Sequence, residues 1–149
     1  MAADRSYIAE NDRERRRLEA LADKLDDAGL SRAMPAGWTV AGVLAHLAFW
    51  DQRIVVLSDL LRRGATVPTE ESIHVDWIND AAKPMQLALP PRRAATLAVE
   101  TARAADQAVA TLSDELLEKN AAAGTPINLL RAEHRREHLD EIERELAQG

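Results

Sequence analysis

No cysteine occurs among the 149 residues of this chain. That excludes disulfides, thiolate metal ligands and a protein-borne thiol nucleophile, and it leaves the compartment open. Aromatic residues are almost as scarce, with three tryptophans, one tyrosine and one phenylalanine. Positive charge is not in excess either. The formal net charge is −6, so phosphate backbones and anionic membranes are repelled rather than gathered. No run of alternating β-branched residues offers a strand, and MAADRSYIAENDRERRR lacks the apolar core of a secretory signal. No window is expected to reach the roughly 20 apolar residues of a membrane span. The expectation is one cytoplasmic domain with a single core, and neither nucleic acid nor membrane as partner.

What is abundant is alanine, leucine and charge, a composition suited to closely packed helices. A first helix is expected over about residues 6–28. Ile8, Leu18, Leu21 and Leu25 would face inward, and Gly29 would close it in the left-handed region. Thr39 is an N-cap for a second helix, TVAGVLAHLAFWDQRIVVLSDLLRRG, with Arg62 and Arg63 in its last turn and Gly64 after it. The stretch ATVPTEESIHVDWINDAAKPMQLALPP reads as irregular. It holds a short helix over about residues 70–82, and its prolines rule out a continuous one.

A third long helix is expected from Pro91 to about Asn120, burying Leu97, Thr101, Ala105, Ala108, Val109, Leu112 and Leu116. Thr125 and Pro126 then read as cap and first position of a fourth helix, ending near Ala147. The architecture implied is an all-α four-helix bundle over residues 1–149, with a long irregular connection between its second and third long helices.

The four histidines carry the chemistry. His134 and His138 are one turn apart, their Cα atoms about 6 Å from each other. They continue a stripe through Ile127, Leu130 and Ile142. Two readings of that pair are open: neutral core histidines bonded to neighbours, or ligands converging on an ion. HRREH also fits an inverted zinc-protease pattern with Glu137 as base. Against it, Glu137 points about 60° away from His134 on a helical wheel, and only eleven residues follow His138. His46, in VLAHLAFWD, favours the ion. A bundle lets one histidine of the second helix meet two of the last, and three imidazoles suffice for a metal site with open positions. His74, among acidic neighbours, reads as a loop or surface residue, with a fourth-ligand role as the alternative.

Three stretches, WTVAGVLAHLAFWD, VDWIND and HRREHLDEI, make the chain similar to the DinB/YfiT-like superfamily of four-helix proteins over essentially its whole length. The resemblance implies that His46, His134 and His138 hold one divalent transition ion, zinc or nickel being the usual partners of imidazole. The characterised branches are bacillithiol transferases and the mycothiol-dependent maleylpyruvate isomerase, whose additional C-terminal domain has no counterpart in this sequence. A metal-dependent enzyme is thereby implied, a homodimer that transfers a low-molecular-weight thiol such as mycothiol to small electrophilic substrates.

Neutral imidazoles leave an ion its positive charge, so a thiol or a water in an open position is acidified, water to about pH 7 on zinc. The alternatives are therefore a metal-dependent hydrolase, or a non-catalytic binding module that the ion merely stabilises. Asp51, Glu137 and Glu141 are candidates to receive the imidazole N–H groups. Arg53 and Arg131 are candidates to hold an anionic substrate group, or else ordinary ion-pair partners. Trp38, Trp50 and Trp77 read as core or pocket-wall residues.

Overall fold

The structure, a computed structural model, describes residues 2–68 and 75–149. His74, and residues 70–74 of the short helix expected over 70–82, lie outside them. The described residues are predominantly helical, in the order α1 (Tyr7–Lys24), α2 (Asp27–Leu30), α3 (Val40–Arg62), α4 (Val75–Ala88), α5 (Pro91–Ala110), α6 (Asp114–Ala122) and α7 (Ala132–Ala147). Two residue pairs, β1 (Ala33–Met34) and β2 (Trp38–Thr39), form an antiparallel bridge that leads the chain into α3.

The long helices begin or end where the local chemistry favours it. Thr39 caps α3, its hydroxyl accepting from the Gly42 amide at 3.0 Å, and Gly64 follows the helix at φ 71°. α3 packs against α5, which presents Ala94, Ala98, Ala102 and Ala105, all fully buried. Such small side chains let two helix backbones approach closely. α1 packs on α5 and α7, and α3 also meets α7.

Several boundaries differ from the sequence reading, each for a visible reason. The first helix stops at Lys24 because Leu25 is extended. Arg92 donates to the freed Ala22 carbonyl at 2.7 Å and to that of Leu25. Asp26 then caps α2 through the Gly29 amide at 2.8 Å, so Gly29 lies inside a helix rather than closing one. The expected helix from Pro91 to Asn120 breaks after Ala110, and Ser113 restarts it as α6 by accepting from the Leu116 amide at 3.2 Å.

Thr125 and Pro126 do not start α7. Thr125 has φ 58°, and the buried Asn120 side chain grips Ile127 through both its N–H and its C=O at 3.0 Å each. That grip holds the segment as a loop. α7 starts only at Ala132, whose amide donates to Asn11 Oδ1 of α1 at 2.9 Å, a cap supplied from another helix. α4, conversely, runs past Pro84. Proline forfeits one helical bond to the Asp80 carbonyl, and Asp80 sits at an exposed position where water can replace it.

Contrary to expectation, α3 is long and apolar enough by composition to cross a membrane, but 67% of its most apolar window is buried inside the protein. Most of its apolar residues serve internal packing. The core has two parts, one around Leu18, Leu44, Ala98, Leu139 and Ile142, the other around Tyr7, Ile54, Val109 and Ile127. Trp77 belongs to neither. It is 65% exposed, and with Phe49, Val56 and Met85 it lines an outer groove between α3 and α4.

Candidate metal centre

At the start of α7 two pairs spaced four apart interleave: Arg131, the residue just before the helix, with Arg135, and His134 with His138. At 3.6 residues per turn the arginine pair faces inward and the histidine pair flanks it. Arg131 and Arg135 are buried, whereas His134 and His138 are only partly so. Across from them, α3 carries His46 and, five residues on, Asp51, both buried. The two helices therefore meet twice, at an imidazole cluster and at an ionic cluster.

In the imidazole cluster His134 Nε2 lies 3.1 Å from His46 Nε2 and 3.1 Å from His138 Nε2. One ligand nitrogen from each of the three fits within a 4.8 Å span. Imidazoles at zinc distances of 2.0–2.1 Å in a tetrahedron would stand roughly 3.3 Å apart. His138 Nδ1 is 3.2 Å from Glu141 Oε2, so an N–H donated there leaves Nε2 as a lone pair facing the other rings. His46 Nδ1 is buried with no partner among the described residues, and Trp38 packs edge-on to the ring at 5.8 Å. Nitrogens pointed at one another with few protons to share repel unless a cation lies between them. The residues present fit a divalent ion.

Burial, with the neighbouring His138 imidazole, pushes His46 down to about 4. His134 falls to about 3 for the same reasons, with the Arg131 and Arg135 charges adding to them. Both are neutral, as metal ligands must be. These folded-state values lie below the unfolded 6.5. Between the two ranges the unfolded chain binds protons that the folded one refuses, so stability is lost as pH falls below 6.5 and is unaffected above it. Metal-stripped protein should therefore lose stability, on the order of a few kcal/mol, as pH falls from 7 to 5. Urea midpoints at pH 7 and pH 5 measure this, and equal midpoints would refute it.

The ionic cluster went unread in the sequence, where Arg135 and Asp106 pass for solvated helix charges. Arg135 is fully buried, its guanidinium donating to Asp106 at 2.7 and 2.9 Å and to Asp51 at 3.3 Å. Arg131 Nε donates to Asp51 at 3.0 Å, and Arg15 reaches Asp106 at 2.7 Å. Burial pulls Arg135 down, but the carboxylates of Asp51 and Asp106 outweigh it and the net shift is upward. For Arg131 burial wins over Asp51 and the shift is downward. Along the chain Asp51, Arg131 and Arg135, with the neighbouring Asn11, fall between the two parts of the core: Asn11 between Tyr7 and Leu18, Asp51 between Leu47 and Ile54, Arg131 and Arg135 between Ile127 and Leu139. The only sequence trace of this layer is the four-residue spacing of the arginines.

Asp51 bonds to the two arginines rather than to an imidazole, and Arg131 is correspondingly held by Asp51. Glu137 is exposed at the cleft edge and bonds to neither histidine of α7. Arg53 lies over the Trp50 ring at 5.4 Å, and Trp50 Nε1 donates to Asn79 of α4 at 2.8 Å. The three histidines floor a cavity of about 660 Å³, open to solvent and walled by Trp38, Asn79 and the acidic residues of α4. An adjoining lobe of about 470 Å³ shares His46 and His134 and is bordered by Trp50 and Arg53.

The family model described as the DinB superfamily matches residues 10–142, and the chain belongs to that superfamily. No curated protein and no solved structure matches it.

Proposed function

Starting from membership of the DinB superfamily, we propose that the chain is a four-helix-bundle enzyme that depends on one divalent ion, zinc or nickel, held by His46, His134 and His138. Its reaction is transfer of a low-molecular-weight thiol, mycothiol being a candidate, to a small electrophile. The observation that supports catalysis over mere stabilisation is the cavity of about 660 Å³ above the three ring nitrogens. A structural ion is sealed by protein ligands, whereas this cluster has room for a substrate beside it.

When bound, the ion supplies Lewis acidity, which lowers the pKa of a thiol or of water and suits a protein with no cysteine of its own. The chain's own residues orient and confine. Glu141 fixes the tautomer of His138, and Trp38 restricts the ring of His46. Asn79 ties α4 to Trp50 of α3, holding the cleft wall beside the histidines. Arg53, above Trp50, borders the adjoining lobe with its positive charge.

The test offers a halogenated aromatic to metal-loaded protein with mycothiol, bacillithiol, glutathione or water. Sulfur bonds to the ring carbon, halide leaves and the thiol proton passes to solvent. Turnover should require a thiol and vanish on chelation. Turnover with water alone would make the protein a hydrolase. No turnover with any acceptor would leave a non-catalytic module.

A further inference from the structure

The lobe that touches all three imidazoles carries predominantly one sign of charge. Asp76 and Asp80 of α4 line it together with Glu137 and Glu141 of α7, and Lys83 is the one cation among its described lining residues. That ammonium is engaged elsewhere, donating to the Ala36 carbonyl at 2.5 Å and lying 4.9 Å from the Trp38 ring centre. Glu141 serves His138. No ion pair neutralises Asp76, Asp80 or Glu137 among the described residues. Four carboxylates against one ammonium leave the rim net negative by three.

Two fields of opposite sign are thus stacked in one cleft once the ion is in place. The floor attracts an anion, and the rim repels one. A cleft with low-dielectric walls focuses such a field on whatever occupies it. The adjoining lobe differs, since its rim brings Arg53 beside Trp50.

On the reading that the site binds a thiol, we infer that the cleft selects that thiol by charge. The accepted ligand carries a neutral or cationic group, such as an amine, where it passes Asp76 and Asp80. Thiols bearing a carboxylate at that distance from sulfur are disfavoured. Asp76 and Asp80 are the specificity residues. They touch the body of the ligand, and the histidines hold the ion that takes its sulfur.

Three short thiols of matched length make the probe set: cysteamine, 2-mercaptoethanol and 3-mercaptopropionate. Each is titrated into the full-length protein loaded with Co²⁺, and binding is read from the sulfur-to-cobalt charge-transfer absorption. The thiols differ in intrinsic acidity, so the readout is the change in their affinity ratio between wild type and Asp76→Asn/Asp80→Asn. Both positions are exposed, where substitutions leave stability nearly unchanged, and equal cobalt content verifies the site. At about 10 mM ionic strength screening is weak, and the double variant should compress the preference for cysteamine over mercaptopropionate about tenfold. Added salt should compress the wild-type ratio in the same direction. A ratio unchanged by the double substitution would overturn the selectivity and leave the thiol reading standing. No charge-transfer band with any thiol, on fully loaded protein, would overturn both.

Discussion

Replacing His134 with alanine should empty the site while leaving the protein folded. His134 is the hub of the cluster, its Nε2 being 3.1 Å from both His46 Nε2 and His138 Nε2. Its removal separates the other two rings and leaves two ligands where a stable site needs at least three. Loss of a mere outer partner of a metal ligand costs 10–100-fold in affinity, so loss of the central ligand should cost more than about 100-fold. Alanine favours helix, and the variant no longer buries an imidazole whose pKa is forced to about 3. The metal-free variant should therefore be as stable as metal-free wild type at pH 7 and more stable at pH 5.

The ion has its own signature in stability. At a free concentration of 100 times Kd it adds about 2.7 kcal/mol, and for a chain of this size that raises Tm by roughly 5–10 °C. Wild type should show that rise on adding Zn²⁺ or Ni²⁺, and His134→Ala should not. Elemental analysis of protein purified without a histidine tag gives the direct count. One equivalent of metal retained by the variant would remove the three-histidine site.

Asp51→Ala should be the most destabilising single substitution at a charged position. Asp51 is 2% exposed and bonds Arg131 at 3.0 Å and Arg135 at 3.3 Å, both guanidinium groups themselves buried. Breaking a buried pair by deleting one partner costs about 3–5 kcal/mol, because the abandoned charge stays buried. Arg135 keeps Asp106, but Arg131 has no second carboxylate among its bonds. A loss of about 3–5 kcal/mol corresponds to a fall in Tm of roughly 6–20 °C. Deleting both charges should cost less than deleting one. Asp51→Ala/Arg131→Met is thus expected to recover part of the loss, and a double-mutant cycle in urea measures the coupling. Asp51 also tethers α3 to α7, the helices that bring His46 to His134, so the single variant should bind its ion more weakly. Wild-type stability in Asp51→Ala would show that the ionic layer does not support the fold.

Helix class, the cap at Thr39, the stop at Gly64 and the three histidines were legible in the sequence because each rests on local chemistry. Apolar residues at helical spacing and a hydroxyl at an N-cap act within a turn or two. His46, in an apolar helix, and the His134/His138 pair stand out because imidazoles are rare in this chain. Where the reading failed, a distant residue had intervened. Arg92 of α5 bonds the end of α1, so Gly29 did not have to close it. Asn11 of α1 caps α7, and Asn120 holds Ile127 in a loop, so Thr125 was not the start it resembled.

The ionic layer marks the same divide most clearly. RAEHRREH reads as a solvated charged segment, and by composition nothing distinguishes Arg135 from Arg136. One is fully buried against Asp51 and Asp106, and the other reaches an edge contact with Glu14 at 3.2 Å. Helical periodicity gives every residue a direction around its own axis, and that much the chain carries in itself. Which directions face a neighbour depends on how α3, α5 and α7 pack, a sum over contacts between residues far apart in sequence. The sequence by itself therefore determined the helical class, the apolar faces of the long helices and the three histidines that could hold an ion. Tertiary packing alone decided that three ring nitrogens converge beneath an open acidic cleft, and that the charges beside them are buried in pairs.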